Sequence, residues 1–306
     1  HGSVECARAL EDHGCDSFAV FSFLEALELR DNGIKSDILI FSKTHQHYLE
    51  PAFKNNLTLN VSSLDDIDIF ESHKLSNEKI PNFHLKFDTG MTRLGINISD
   101  ASNVFERVKR NLGTECKGIY SHYATADEGD LSFANHQFSL FNDVIETAIE
   151  KEIKFETIHF SNSGASINLD QSKFDQVRVG MLLYGAYPSS EVPKDLPVEP
   201  VMEFCAPLVE VRKVKKNTPV SYGGVYKTPD ACTIGVVQCG FADGIPREWY
   251  KEGFVSMNGT YFKIAGRICM DQFMVNFENF TPSIGEEILI FGQVILYAKW
   301  QKYMER

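Results

Sequence analysis

The first 180 residues repeat one pattern: a short, apolar, β-rich run followed by a stretch of helical periodicity. The runs cover 17–20, 37–41, 57–61, 84–87, 118–121, 157–160 and 176–179, and helical patterns such as 23–32, 101–112 and 132–151 lie between them. Strands joined by amphipathic helices pair in parallel, because only a crossover of that length carries the chain back to the same sheet edge. Seven such strands are one short of a closed eight-stranded barrel, and the eighth has room only ahead of His1. The expectation is an α/β fold, a (β/α)8 barrel lacking its first strand. An open doubly wound sheet of seven strands is the alternative.

The pattern changes after Tyr184. Residues 188–200 are rich in Pro, Ser and charge, which marks a linker, and alternating runs follow at 208–214, 232–237, 254–257, 261–264, 272–275 and 287–290. Asn258-Gly259 between two of them is a hairpin signal. We therefore expect a barrel domain over 1–190 and a mainly β domain over 191–306, with an unassigned tail of helical composition at 294–306.

A net charge of −12 argues against a nucleic-acid partner, since phosphate backbones are held by basic patches. No apolar run is long enough to span a membrane, and nothing resembling a signal peptide precedes the first helix. Seven irregularly spaced cysteines fit reduced thiols in a cytoplasm, with Cys6, Cys15 and Cys269 read as packing residues. No His/Cys spacing suggests a metal site.

Chemistry concentrates where strands end. The segment 84–96, HLKFDTGMTRLGI, brings Lys86, Asp88 and Arg93 to the end of one strand. Ser161-Asn162-Ser163-Gly164 ends another, and Gly180-Met181 follows the last. Each of these two loops alone reads as a helix cap or a turn. Together, after the last two strands, they favour a phosphate-bearing cofactor. Arg178 alternates with Val177 and Val179, so its charge requires a buried partner or a ligand, and His122 is a candidate neighbour. In the β domain, Tyr222 precedes two glycines in VSYGG, and Met270-Asp271 interrupts the apolar run GRICMDQ. Alone, Tyr222 is a rim aromatic, Asp271 a turn residue, and the GFADG turn at 240–244 is ambiguous.

DTGMTRLG, SHYATADEGD, HFSNSGA, VRVGMLLYG, VSYGG, GFADG and GRICMDQ, in that order, resemble signatures of the alanine racemases, from His1-Gly2 to about Gly292. The resemblance implies a TIM-type barrel plus β domain, pyridoxal 5'-phosphate as cofactor, and a cytoplasmic homodimer supplying D-alanine for peptidoglycan. It implies that Tyr222 is one catalytic base. Arg178 faces the pyridine nitrogen and leaves it unprotonated, with His122 linking Arg178 to Tyr222. Ser163 and the Gly180 and Met181 backbone hold the phosphate. Arg93 binds near the substrate carboxylate, and Lys86, carbamylated in some members, orients it. The Met270 N–H binds the carboxylate, Asp271 lines the site, and the β domain of each subunit completes the other's site.

Two features depart from the family. Its Schiff-base lysine lies in a segment like K-A-N-A-Y-G-H-G, of which this chain holds only His1-Gly2. Its later phosphate-contacting tyrosine has no counterpart that Tyr297 or Tyr303 resembles. The expectation is thus a racemase truncated at both ends and inactive as the 306 residues stand. A racemase of another amino acid, a non-enzymatic pyridoxal-phosphate-binding barrel protein and a non-catalytic remnant serving only as a dimerisation partner are the alternatives. The second would end after the barrel.

Overall fold

The protein is described by a computed structural model that covers residues 1–77 and 79–292. The expected tail at 294–306 lies outside the described residues. The chain divides into two compact units: 1–183 with 187–197, and 184–186 with 198–306.

In the first unit, strands β1 (Ser17–Val20), β2 (Asp37–Ile40), β3 (Thr58–Val61), β4 (Phe83–Asp88), β6 (Cys116–Tyr120) and β7 (Thr157–His159) form one parallel sheet in that order, and β5 (Ile96–Asn97) pairs with β4. Helices α1 (Ser3–Asp12), α2 (Phe23–Asp31), α3 (Leu49–Lys54), α4 (Leu64–Asn77), α5 (Ala101–Arg107), α6 (Ser132–Glu150) and α7 (Ser163–Asn168) alternate with the strands. This is the expected incomplete (β/α) barrel. Local chemistry sets the elements: Ser22 and Glu25 close a reciprocal capping box at the start of α2. Leu85, Phe87 and Ile119 join Phe70, Phe105 and Phe141 in a core of buried apolar residues.

The other strand face is polar. Register places Asn60, His84, Gly118 and Thr157 in one row and Lys86, Tyr120 and His159 in the next. Gly118 makes the first row packable, because a Cβ there would lie 2.6 Å from the His84 ring.

Two expectations need correction. The strand expected at 176–179 is reduced to a single parallel bridge between His159 and Gln176. The chain still runs beside β7, through Asp175 N–H to Ile158 O and Arg178 N–H to Ser161 O. Val177 is 45% exposed, so the run lacks the cover that holds a regular strand. The helix expected at 101–112 stops at Arg107 and continues as a π turn, Val108–Leu112.

The second unit holds the six strands expected: β8 (Phe204–Val214), β11 (Cys232–Val237), β12 (Phe254–Met257), β13 (Thr260–Ile264), β14 (Phe273–Asn276) and β15 (Glu287–Phe291). They close an antiparallel barrel in the order β11-β14-β13-β12-β15-β8, and β9 (Pro219–Val220) pairs with β10 (Tyr226–Lys227) outside it. Asn258 (φ 50°) and Gly259 (φ 77°) both take positive φ, as the two-residue turn between β12 and β13 requires. Its own core gathers Leu208, Val237, Phe273, Phe277, Ile288 and Trp249.

Candidate active site

Arg178 is the hub of the first unit. Its Nη2 donates to Ser121 O (2.7 Å), Phe160 O (2.9 Å) and His122 Nδ1 (3.2 Å), and its Nη1 donates to His159 Nδ1 (2.8 Å). An arginine donates only, so both histidine Nδ1 atoms accept and both rings carry their proton on Nε2. His159 then passes that proton toward His84 Nδ1, at 2.9 Å. The His159 ring stacks on Tyr120, with centroids 4.7 Å apart and planes within 7°. The phenol of Tyr120 donates to Asn60 Oδ1 at 2.9 Å. Burial, then Arg178, holds His122 down at about 3 and His84 at about 4, so both are neutral near pH 7.

No carboxylate pairs with Arg178 among the described residues. Burial pulls the guanidinium down to about 10, which leaves it charged. Lys86 is buried beside it, and burial, Arg93 and Arg178 bring its ammonium down to about 8. Arg178, Lys86 and Arg93 thus bring positive charge together, with Asp88 the carboxylate that acts on Lys86, an arrangement suited to an anion.

Arg93 is exposed on the loop that leaves β4. Asp88 shapes that loop by accepting from the Gly90 and Thr92 N–H groups. Gly95 is required there, since its φ is 151° and a Cβ would lie 2.4 Å from Asp88 N.

Ser163 opens α7, where the Asn162 side chain caps Ala165 N–H. Ser163 Oγ accepts from Gly180 N–H at 3.1 Å and so keeps its own proton for another acceptor. Gly180 has open space where a Cβ would stand, and Met181 begins a 3-10 turn. Ser161 Oγ, fully buried, has no hydrogen-bond partner among the described residues. Lys86, His122 and Ser163 thus lie at or just beyond the carboxyl-terminal ends of parallel strands, and Arg178 and Gly180 on the segment that runs beside β7.

The remaining candidates lie in the second unit. Tyr222 is 66% exposed, in a loop where Ser221, Gly223 and Gly224 all have positive φ. Ser221 Oγ donates to Arg267 O at 2.6 Å, which fastens this loop to the one carrying Met270 and Asp271. The GFADG turn grips that second loop: Phe241 N–H donates to Cys269 O and Ala242 N–H to Met270 O. Gly240 permits the grip, because a Cβ there would lie 2.2 Å from Met270 O. The Met270 N–H has no acceptor among the described residues, and Asp271 is exposed beside it.

Sequence reading missed His84, His159, Tyr120 and Asn60. Period-2 alternation along β4, with His84 and Lys86 two residues apart, was the available signal.

Two family models match the chain: alanine racemase, N-terminal domain, over 1–188, and alanine racemase, C-terminal domain, over 201–306. The alanine racemase of Carboxydothermus hydrogenoformans is 37% identical over 298 residues, 96% of this chain and 80% of that protein. The alanine racemase from Streptomyces coelicolor superposes with a TM-score of 0.88 at 32% identity, over 96% of this chain and 79% of that one. The alanine racemase from Bartonella henselae, solved with covalently bound pyridoxal phosphate, gives a TM-score of 0.84 at 26% identity, over 95% and 80% of the two chains.

Proposed function

The chain belongs to the alanine racemase family, and from that premise we propose how its own residues serve the interconversion of L- and D-alanine. The observation that carries the reading is Arg178: a cation with no carboxylate counter-ion among the described residues, hydrogen-bonded to two neutral histidines.

The residues fit pyridoxal 5'-phosphate. Ser163 Oγ has a proton to give, Gly180 leaves room for close approach, and Arg178 offers N–H groups to an unprotonated ring nitrogen. The Bartonella henselae relative carries this cofactor. Ser163 with the Gly180 and Met181 backbone would hold the phosphate, and Arg178 the pyridine nitrogen. When bound, the cofactor supplies an electron sink that makes the α-proton of alanine removable.

Tyr222 is the base we assign to one face of the α-carbon. To accept a proton it must be a phenolate, which needs a donor beside it. His122 has one: its Nδ1 accepts from Arg178, which holds its proton on Nε2. Arg93 and the Met270 N–H, which has no acceptor among the described residues, bind the substrate carboxylate, and Asp271 lines the site. Lys86 orients Arg93; at about 8, it is partly free amine near neutrality, able to bond CO2 as a carbamate with release of a proton. The other base is the lysine of the family segment that precedes His-Gly.

Tyr222 and Met270 are 66% and 58% exposed, and we place them against a second subunit in a homodimer, each β domain (191–306) completing the barrel (1–190) of the other. All seven cysteines are free thiols, which fits a cytoplasmic enzyme supplying D-alanine for peptidoglycan. No helix among the described residues is long and apolar enough to cross a membrane.

The test is Tyr222→Phe in the protein carrying the lysine segment ahead of His1. Racemisation should fall about 10²–10⁴-fold while cofactor absorbance stays. A near-normal rate in both directions would remove Tyr222 from this role.

A further inference from the structure

Gln137 lies on α6, fully buried, and none of the roles above uses it. Its carboxamide reads the backbone after β6 at two points: Oε1 accepts from Ala124 N–H (2.9 Å) and Nε2 donates to His122 O (3.2 Å). The second Nε2 proton reaches Thr89 Oγ1 at 3.3 Å, and Thr89 Oγ1 shares a hydrogen bond with Ser121 Oγ at 2.8 Å. Thr89 is 2% and Ser121 1% exposed, so water does not compete for these contacts.

Thr89 opens the turn that leads to Arg93, and His122 O belongs to the residue whose ring meets Arg178. One amide therefore joins the loop after β4 to the loop after β6. We propose that Gln137 is a positioning residue that couples these loops, with Thr89 as the joint, and so sets the placement of Arg93 relative to His122 and Arg178. A Gln is suited to this, since it offers one acceptor and two donors from a single planar group. Glu lacks the donors when ionised, and Met fills the same volume with neither. The meaning of the coupling for catalysis rests on the roles proposed for Arg93 and His122; the coupling itself does not.

The closing experiment separates the two. Amide hydrogen exchange is measured on the 306-residue chain for wild type, Gln137→Met, Thr89→Val, Thr89→Ser and the double variant Gln137→Met/Thr89→Val. Gln137→Met should speed exchange at Ala124, and at Gly90 and Thr92 in the other loop, at least about 10-fold, with β2 and β3 unchanged. In the Thr89→Val background, Gln137→Met should add nothing at Gly90 and Thr92, and Thr89→Ser should behave as wild type. Equal acceleration across the whole barrel, or additive effects at Gly90 and Thr92, overturns the coupling. If Gln137→Met does not fold, the comparison of Thr89→Val with Thr89→Ser at Ala124 decides alone: faster exchange in Val only supports the coupling, and identical exchange overturns it. In the lysine-bearing enzyme, Thr89→Val should raise the KM for alanine about 5–10-fold with kcat nearly kept, and Thr89→Ser should restore it. An unchanged KM alongside the exchange result would retain the joint and overturn the role given to Arg93.

Discussion

At the scale of single residues, the site is built from basic groups whose hold on protons is weakened by burial. His84 shows how this connects to stability. Burial, then Arg178, holds it at about 4, against about 6.5 in an unfolded chain. Between those values the unfolded chain binds more protons, so stability rises with pH across the window and is fully present above about 6.5. As pH falls toward 4, up to about 3 kcal/mol from this one group should be lost. Urea midpoints of His84→Gln should depend less on pH between 4 and 6.5; an unaltered slope would refute the assignment. Removing Arg178 should act differently. Arg178→Leu leaves Ser121 O, Phe160 O and two histidines without their donor, at about 1–3 kcal/mol for each buried group left unpaired, so the first unit should be strongly destabilised at every pH. Arg178 and Lys86 were legible in the sequence, because a charge inside a strand pattern demands an explanation. His159 and Gln137 were not, since their meaning lies in partners 13 to 75 residues away.

At the scale of elements, legibility followed whether a local signal was enough. The start of α2 is written in Ser22 and Glu25, and the hairpin between β12 and β13 in Asn258-Gly259. The run at 176–179 has strand composition but only one bridge, because pairing depends on neighbours that a local window cannot see. The π turn after Arg107 likewise answers to packing rather than to propensity. The loop after β4 gives a sharper test. Gly95→Ala imposes φ 151° on a side-chain-bearing residue and drives its Cβ to 2.4 Å from Asp88 N. Strain of this kind costs about 1–3 kcal/mol, so a lowered urea midpoint is expected together with faster exchange at Gly90 and Thr92. Wild-type stability would show that the turn relaxes freely. The Pro-rich stretch read as a linker is also held. Ser189 Oγ donates to Asp127 O and Gly129 N–H donates to Glu191 (2.6 Å), so residues 187–197 strap the loop after β6.

At the scale of the whole molecule, two hydrophobic cores answer to two sequence styles, which is why both the parallel and the antiparallel architecture were legible from periodicity alone. The missing information was where the first unit ends, since 187–197 returns to it. Trp249, the one tryptophan among the described residues, lies in the second unit and is 4% exposed. In a Trp300→Phe variant intrinsic fluorescence therefore reports that unit, while helical circular dichroism reports mainly the first. On acidification to about pH 4, the dichroism transition should precede the fluorescence transition, because the depressed histidines His84, His122 and His159 are all in the first unit. Coincident curves would show that the units unfold as one. The grip of Gly240 on the Met270 carbonyl has a consequence of another kind. Two loops that touch where no methyl group fits move together. A side chain placed at 240 pushes the Met270 carbonyl, so a change written in one turn is felt as a displacement of the other.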